Sequence, residues 1–480
     1  MRFILSLALF VYSSSLFAAT CNLQVSGKLI VNPLQEKSSL GWDQYFSKQE
    51  PLANVEVRLS GGKKNRAITK WQETTTDSAG RFNFEVEEEG KDCEKDYKLR
   101  VKVKFASSTI NVKKSRNRTP DWYKVYQSPK ADVSFSGHVD LGKVVFRQSG
   151  KWDRGSEVAR QHAMIWLVYQ RLNQYLGSLS PDDSELNHTF INKFEIKYPN
   201  NKKIIRDAKN GLTHELSYAN PINKTISIIK NDRMNDLKVS VLVHEMMHIW
   251  QYERMKSIDY PSNRSIGNWA LNKTRGQPGM ARYLIGNRDM HDSVDKEYVA
   301  FQEGFSWWFE EIAAERIFSS EVPTVLNRGR LTREVAASLE TMDNHDVGWR
   351  QILTVLTLRE PLAYIYGDAT TEGKNAALIE GKALSIKKRR CESSTVSVAT
   401  ILALSSNHIS DTTDDSLEEE MEEGLGPLVR SQMTLEGYFQ RADFLALNVG
   451  IGLDQEITDK YKRLIDPAND EEYMQIFCDV

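Results

Sequence analysis

Residues 241–250 read VLVHEMMHIW, a run that is apolar except for His244, Glu245 and His248. On an α-helix the two histidines, four residues apart, leave the same face. Two neutral imidazoles in that arrangement suit one tetrahedral zinc ion. Glu245 sits one residue round, where its carboxylate can handle the proton of a water without occupying a ligand position. A helix that is apolar on nearly every side is buried. Two imidazoles and a carboxylate are costly there unless a metal compensates them. The sequence therefore points to Zn2+ as a cofactor.

Two histidines leave a catalytic zinc site short of its third protein ligand. The helix expected over 295–318, DKEYVAFQEGFSWWFEEIAAERIF, supplies the candidates. Its main apolar stripe is Tyr298, Phe301, Phe305, Phe309 and Ile312. Val299, Ala300, Trp307 and Ala314 form a second apolar face, and Glu303 is the carboxylate on it. Two rivals are weaker. Glu297 falls in the first turn of the helix, where the dipole favours a solvated carboxylate. His291 lacks the spacing of a three-histidine HExxHxxGxxH site.

HEMMH followed by QEGFSWWFE resembles the gluzincin zinc metallopeptidases, which include the thermolysin, aminopeptidase N and bacterial collagenase types. The resemblance implies zinc on His244, His248 and Glu303, with Glu245 as general base and a peptide or protein as substrate. Fifty-four residues separate His248 from Glu303, more than in the aminopeptidase N type, so 256–292 reads as an insertion. No Gly-x-Met-Glu-Asn element precedes HEMMH, which favours an endopeptidase over an aminopeptidase. Position 307 is Trp where the thermolysin type has Asp, so a ligating histidine needs another hydrogen-bond partner, for which Glu310 is the candidate. The resemblance further implies a side-chain donor to the oxyanion, and Tyr366, beside Tyr364 in a loop-like context, is the candidate. SYANPINKTISIIK resembles the edge strand that pairs with extended substrate, through backbone groups of Tyr218, Ala219 and Asn220. The competing functions are a zinc protein of the cell envelope without turnover, and a zinc hydrolase of a non-peptide amide.

The elements that carry these residues divide into two parts. From Cys21 to Gln148 the text is strand-like: NLQVSGKLIV, ANVEVRLS, GRFNFEVE, YKLRVKVKF and HVDLGKVVF alternate or are rich in β-branched and aromatic residues. PLANVEVRL and TTTDSAGRFNFEV, with the turn pattern TD-x-x-G-x-F, resemble transthyretin-like and carboxypeptidase-regulatory-like sandwich domains. The basic stretch 114–130 is expected to be a loop. After Lys151 the pattern turns helical, with a helix over 157–176, strands at FEIKY and KTISIIK, and then the HEMMH helix. The acidic run DDSLEEEMEE at 414–423 reads as a solvated segment. The expected fold is multidomain: a signal peptide (1–20), an all-β sandwich accessory domain (21–148), then a mainly helical α+β zincin-like metallopeptidase domain (149–480).

Residues 1–20 combine Arg2, an apolar run and a small-residue site at Ala18-Ala19-Thr20, the pattern of a secretory signal peptide. An exported chain, periplasmic or secreted, is expected to hold Cys21, Cys93, Cys391 and Cys478 in disulfides. Cys21–Cys93 and Cys391–Cys478 are favoured, because each would close within one domain. Ala-Ala-Thr is a poor context for lipidation of Cys21. The net charge of −2 gives no global field for nucleic acid. No later segment is long and apolar enough for stable membrane insertion. A cell-envelope ligand for the sandwich is the other partner expected.

Overall fold

The computed structural model describes residues 20–31, 49–63, 69–89, 97–128, 133, 137–146, 156–179, 187–200, 205–206, 213–214, 217–220, 223–229 and 239–254. It also describes most of 301–318 and, beyond that, 353, 362–366, 386–390, 398–405 and 438. The described residues are mostly strand, and contacts group the chain into two compact units. The first comprises Met1–Ile30, Pro51–Lys104 and Trp122–Val145, and the second the remainder.

The first unit holds two four-stranded sheets. One is built on β1 (Thr20–Val31), flanked by β2 (Glu50–Pro51) and β5 (Arg81–Glu89), with β9 (Gly137–Phe146) also pairing β1. The other runs β4 (Thr69–Thr75), β3 (Glu56–Lys63), β6 (Tyr97–Lys104), β8 (Tyr123–Gln127), all antiparallel. Alternation decides which face is buried. In β6, Tyr97, Leu99, Val101 and Val103 are buried, while the lysines and arginine between them are half-exposed. Phe82 and Phe84 do the same for β5.

The TD-x-x-G-x-F turn has a structural explanation. Thr76 Oγ1 donates to the Leu52 carbonyl (2.6 Å) and accepts from the Val55 amide (2.9 Å). Asp77 Oδ1 accepts from the amides of Ala79 (2.9 Å) and Arg81 (2.7 Å), an Asx turn. Gly80 has φ +76°, and a Cβ there would meet the Leu29 carbonyl oxygen at 2.6 Å. Only glycine fits both demands. The motif thus ties β1, β5 and the residues before β3 together without any chemistry of its own.

The second unit begins inside the stretch that reads as sandwich. Ile110–Lys113 forms β7, which pairs in parallel with β10 (Phe194–Asn200). The sheet continues through β14 (Thr225–Ile229), parallel to β10, to β13 (Tyr218–Asn220), antiparallel to β14. Lys113 Nζ and Glu195 Oε1, 2.6 Å apart, join β7 to β10. The loop expected over 114–130 is corrected in part, since Tyr123–Gln127 is β8 of the first unit.

Helix α1 (Ser156–Ser178) is buried along Ala163, Ile165, Trp166, Tyr169 and Leu172. Tyr169 meets Phe190 and Phe194, and Trp166 meets Phe105. Helix α2 (Val239–Arg254) packs beside α1 and β13. The segment 301–318 is helical where described and ends in a π-helical turn, Ala313–Phe318. Two short pairs, β11 (Ile205–Arg206) with β12 (Thr213–His214) and β15 (Leu362–Tyr366) with β16 (Ile386–Arg390), and a helix at Val398–Ser405 complete the described elements. Among the described residues no helix is long and apolar enough to cross a membrane.

Candidate metal centre

Helix α2 is buried over most of its surface, with Val241, Tyr252 and Arg254 half-buried. Leu242, Val243, Met246, Met247, Ile249 and Trp250 are all fully covered. His244 and Glu245 are each 8% exposed and His248 is 4% exposed, so the three polar groups share the dry environment that the sequence implies. The C-terminal end of α2 is pinned to the chain before β10. Trp250 Nε1 donates to the His188 carbonyl at 2.8 Å. Glu253 accepts from the amides of Ile191 (3.0 Å) and Asn192 (3.1 Å), and Arg254 donates to the Thr189 carbonyl. Burial pushes the Glu253 carboxyl up, against the pull of those two amides.

The two histidines are oriented by different partners. His244 Nδ1 lies 2.8 Å from Glu310 Oε1. A carboxylate only accepts, so Nδ1 carries the proton and the lone pair of His244 stands on Nε2. His248 Nδ1 lies 3.3 Å from both Gln251 Oε1 and Ser306 Oγ. The Gln251 amide donates from Nε2 to the Gln302 carbonyl at 2.9 Å, which turns its oxygen toward His248. His248 therefore donates from Nδ1 as well, and its lone pair also stands on Nε2.

The two Nε2 atoms are 3.1 Å apart, with the rings near perpendicular at 85°. Two lone pairs at that distance repel unless a proton or cation lies between them. Zinc–nitrogen bonds of about 2.0–2.1 Å at a tetrahedral angle place two ligand nitrogens about 3.3–3.4 Å apart. The observed separation is within a few tenths of an ångström of that, so the histidine pair fits a zinc ion. The Nδ1 partners also fit, because ligating histidines donate their other ring N–H to a carboxylate, carbonyl or similar acceptor.

The remaining candidates fall unevenly. Glu303 lies outside the described residues, as do Glu297, His291, the stretch 256–292 and the acidic run 414–423. Its neighbours Gln302 and Gly304 are helical and buried. Among the described residues no group of three His, Cys, Asp or Glu side chains forms a metal site. Tyr218, Ala219 and Asn220 form β13, which ends the sheet order β13-β14-β10-β7 and packs beside α2. The Asn220 side chain is used locally, accepting from the Asn223 amide at 3.0 Å. The loop-like setting expected for Tyr366 is corrected: it ends strand β15, opposite Ile386. Cys21 lies on β1 and is disulfide-bonded. Residues 1–19, Cys93, Cys391 and Cys478 lie outside the described residues.

No protein-family model and no curated protein matches the chain. Among solved structures it is similar to a 9R-lipoxygenase from Cyanothece PCC8801, at 12% identity and a TM-score of 0.16. That match covers 33% of this chain and 25% of the lipoxygenase. It is also similar to the major plantain pollen allergen Pla l 1, at 16% identity and a TM-score of 0.15, over 26% of this chain and 92% of the allergen. Overlaps of this size carry no argument about fold or activity.

Glu310 was legible in the sequence as the partner that a ligating histidine would require. Gln251 and Ser306 were not singled out. Their signal is helical spacing: Gln251 stands three residues after His248, and Ser306 is a polar residue between Phe305 and the tryptophans 307–308.

Proposed function

We propose that this chain is an exported, periplasmic or secreted, zinc-dependent peptidase of gluzincin type, acting as an endopeptidase. In this reading a β-sandwich accessory domain precedes a mainly helical α+β zincin-like domain. The observation that carries the reading is the convergence of the two histidine Nε2 atoms at 3.1 Å on a buried helix, each ring held from behind through Nδ1. Zinc on His244, His248 and Glu303 would supply Lewis acidity toward a carbonyl and make a water more acidic.

The chain's own groups do the rest. Glu245, on the same helix, takes a proton from the attacking water and passes it to the leaving nitrogen. Glu310 and Gln251 keep both rings in the tautomer whose lone pair stands on Nε2. The outer edge of β13, which ends the described sheet order, offers backbone groups of Tyr218, Ala219 and Asn220 to an extended substrate. Tyr366 is the proposed donor to the oxyanion. A Cys21–Cys93 disulfide is supported by register. Thr20 and Cys21 lie opposite Glu89 and Glu88, and Cys93 follows β5 closely. Cys391–Cys478 is the second proposed pair.

The test is metal content by elemental analysis of the mature protein and of Glu303→Ala, together with casein and peptide-library hydrolysis by wild type and Glu245→Gln. The reading expects about one zinc in wild type, much less in Glu303→Ala, and a Glu245→Gln protein that keeps zinc and loses turnover. Undiminished zinc in Glu303→Ala moves the third ligand to Glu297 or His291. A zinc-loaded wild type that cleaves no peptide points to a silent zinc protein or a non-peptide amidase. A folded wild type that takes up no zinc overturns the reading.

A further inference from the structure

The outer face of the β4-β3-β6-β8 sheet carries more like charge than its fold can use. Strand register places Arg58, Lys102 and Lys124 directly abreast on three adjacent strands. Neighbouring strands lie about 4.8 Å apart, so three cations crowd into about 10 Å. Along β6 the same face continues through Lys98, Arg100 and Lys104, at steps of about 6.6–6.8 Å over a total of about 20 Å. Two carboxylates answer part of this charge: Glu73 pairs with Arg58 at 2.5 Å, and Glu56 pairs with Lys104. Among the described residues no carboxylate pairs with Lys98, Lys102 or Lys124.

Like charges directly opposite each other on a sheet are destabilising. Lys102 registers the cost: burial first, then Arg100, Arg58 and Lys124, hold its ammonium below the usual lysine range. Arg58, Arg100 and Lys104 are used in cross-strand contacts, Arg100 through two hydrogen bonds to Gln127 Oε1 at 3.1 and 3.3 Å. Lys98, Lys102 and Lys124 have no such carboxylate partner among the described residues. Together the six present a regular line of cations crossed by a second row.

We infer that this face is a binding site for an anionic polysaccharide, a chain bearing carboxylate, sulfate or phosphate groups at regular intervals. Two features select this partner over other polyanions. Single-stranded nucleic acid is held by aromatic stacking as well as charge. Here the aromatic on the face, Trp122, is engaged by Arg58 at 3.9 Å and Lys104 at 4.9 Å from its ring centroid. Stable attachment to an anionic membrane takes an apolar or lipid anchor besides the cations. Among the described residues the one exposed large apolar side chain, Ile191, belongs to the other unit. The inference is independent of the zinc reading.

The experiment passes the full mature chain over immobilised heparin and immobilised polygalacturonate in a salt gradient. Binding to single-stranded DNA and to phosphatidylglycerol vesicles is measured at the same ionic strength. Wild type is expected to be retained by at least one polysaccharide and to bind it more tightly than DNA or vesicles. Lys102→Gln/Lys124→Gln is expected to lose about tenfold in affinity, with a salt slope smaller by about 1.4 if each lysine neutralises one charge of a flexible polyanion. The same variant should melt no lower than wild type, because it relieves repulsion. A control, Lys143→Gln/Lys193→Gln, removes two exposed lysines elsewhere and should elute with wild type. The inference is overturned by unchanged elution of the first variant, by an equal loss in the control, by a lowered melting temperature in the first variant, or by tighter binding to DNA or vesicles.

Discussion

Two helices of the second unit bury histidines, and they use them in opposite ways. His162 on α1 is fully buried, and its Nε2 lies 2.7 Å from the Tyr198 carbonyl of β10. His244 and His248 on α2 are nearly as buried, yet their Nε2 atoms face each other, while Nδ1 is held by Glu310 in one ring and by Gln251 and Ser306 in the other. Burial alone therefore does not mark a functional histidine. What separates the two cases is the group that Nε2 faces: a backbone carbonyl that accepts its proton, as in His162, or the Nε2 of a second ring, where two lone pairs need a proton or a metal between them.

The sharpest way to break this comparison is through the group next to the pair. Glu245→Gln keeps size and leaves both rings and their partners in place, but removes the base. Peptide hydrolysis is expected to fall by roughly 10²–10⁴-fold with zinc content unchanged, read as kcat against elemental analysis on the same preparation. A variant that retains turnover would take Glu245 out of the chemistry and leave α2 with a metal of another purpose.

The α1 side of the comparison predicts a pH effect of stability, not of activity. Burial, only partly offset by the Tyr198 carbonyl, pushes His162 from its ordinary value of 6.5 down to about 4, with Asp121 pulling it up and Lys114 down. The folded chain therefore takes up this proton later than the unfolded chain does. The contribution is present in full above 6.5 and is lost as pH falls from 6.5 toward 4, by about 3 kcal/mol in all. Denaturant unfolding of the second unit measured from pH 7 to pH 4 should show this slope, and His162→Gln should flatten it. An unchanged slope in the variant would assign the acid sensitivity to other groups.

The helix, the burial and the shared histidine face of α2 were legible in the sequence because helical spacing and apolar surroundings are both local. VLVHEMMHIW displays its face, its burial and its polar trio within ten residues. The five expected strands of the first unit were legible for the same reason, since alternation such as Tyr97, Leu99, Val101, Val103 is written in adjacent positions. What was not legible is long-range. Ile110–Lys113 is four residues long, and nothing in INVK announces that it leaves the surrounding strands to pair with Phe194–Lys197. The cations of β6 are plain in YKLRVKVK, but their crowding appears only when register sets Lys102 between Arg58 and Lys124. Gln251 and Ser306 were missed because a neutral polar residue in a helix has many uses, and only the folded contact singles out one.

The smallest expected effects sharpen the comparison most, because they test orientation alone. Glu310→Gln replaces a charged acceptor 2.8 Å from His244 with a neutral amide, and Gln251→Ala removes a neutral acceptor 3.3 Å from His248. Neither side chain is proposed to touch the metal. Partners of this kind alter metal affinity by about 10–100-fold. Glu310→Gln should lie toward the upper end, since hydrogen bonds to a charged group are about twice as strong as neutral ones. Gln251→Ala should lie toward the lower end, because Ser306 Oγ stands at the same 3.3 Å from His248 and can take over the proton. Chelator competition on the folded protein measures both, with His162→Gln as the reference that should not shift zinc affinity at all. If Gln251→Ala and Glu310→Gln bind zinc as tightly as wild type, the ring orientations are set by packing within α2. If His162→Gln weakens zinc as much as they do, the affinity reports the stability of the whole unit, and the two kinds of buried histidine are not separate after all.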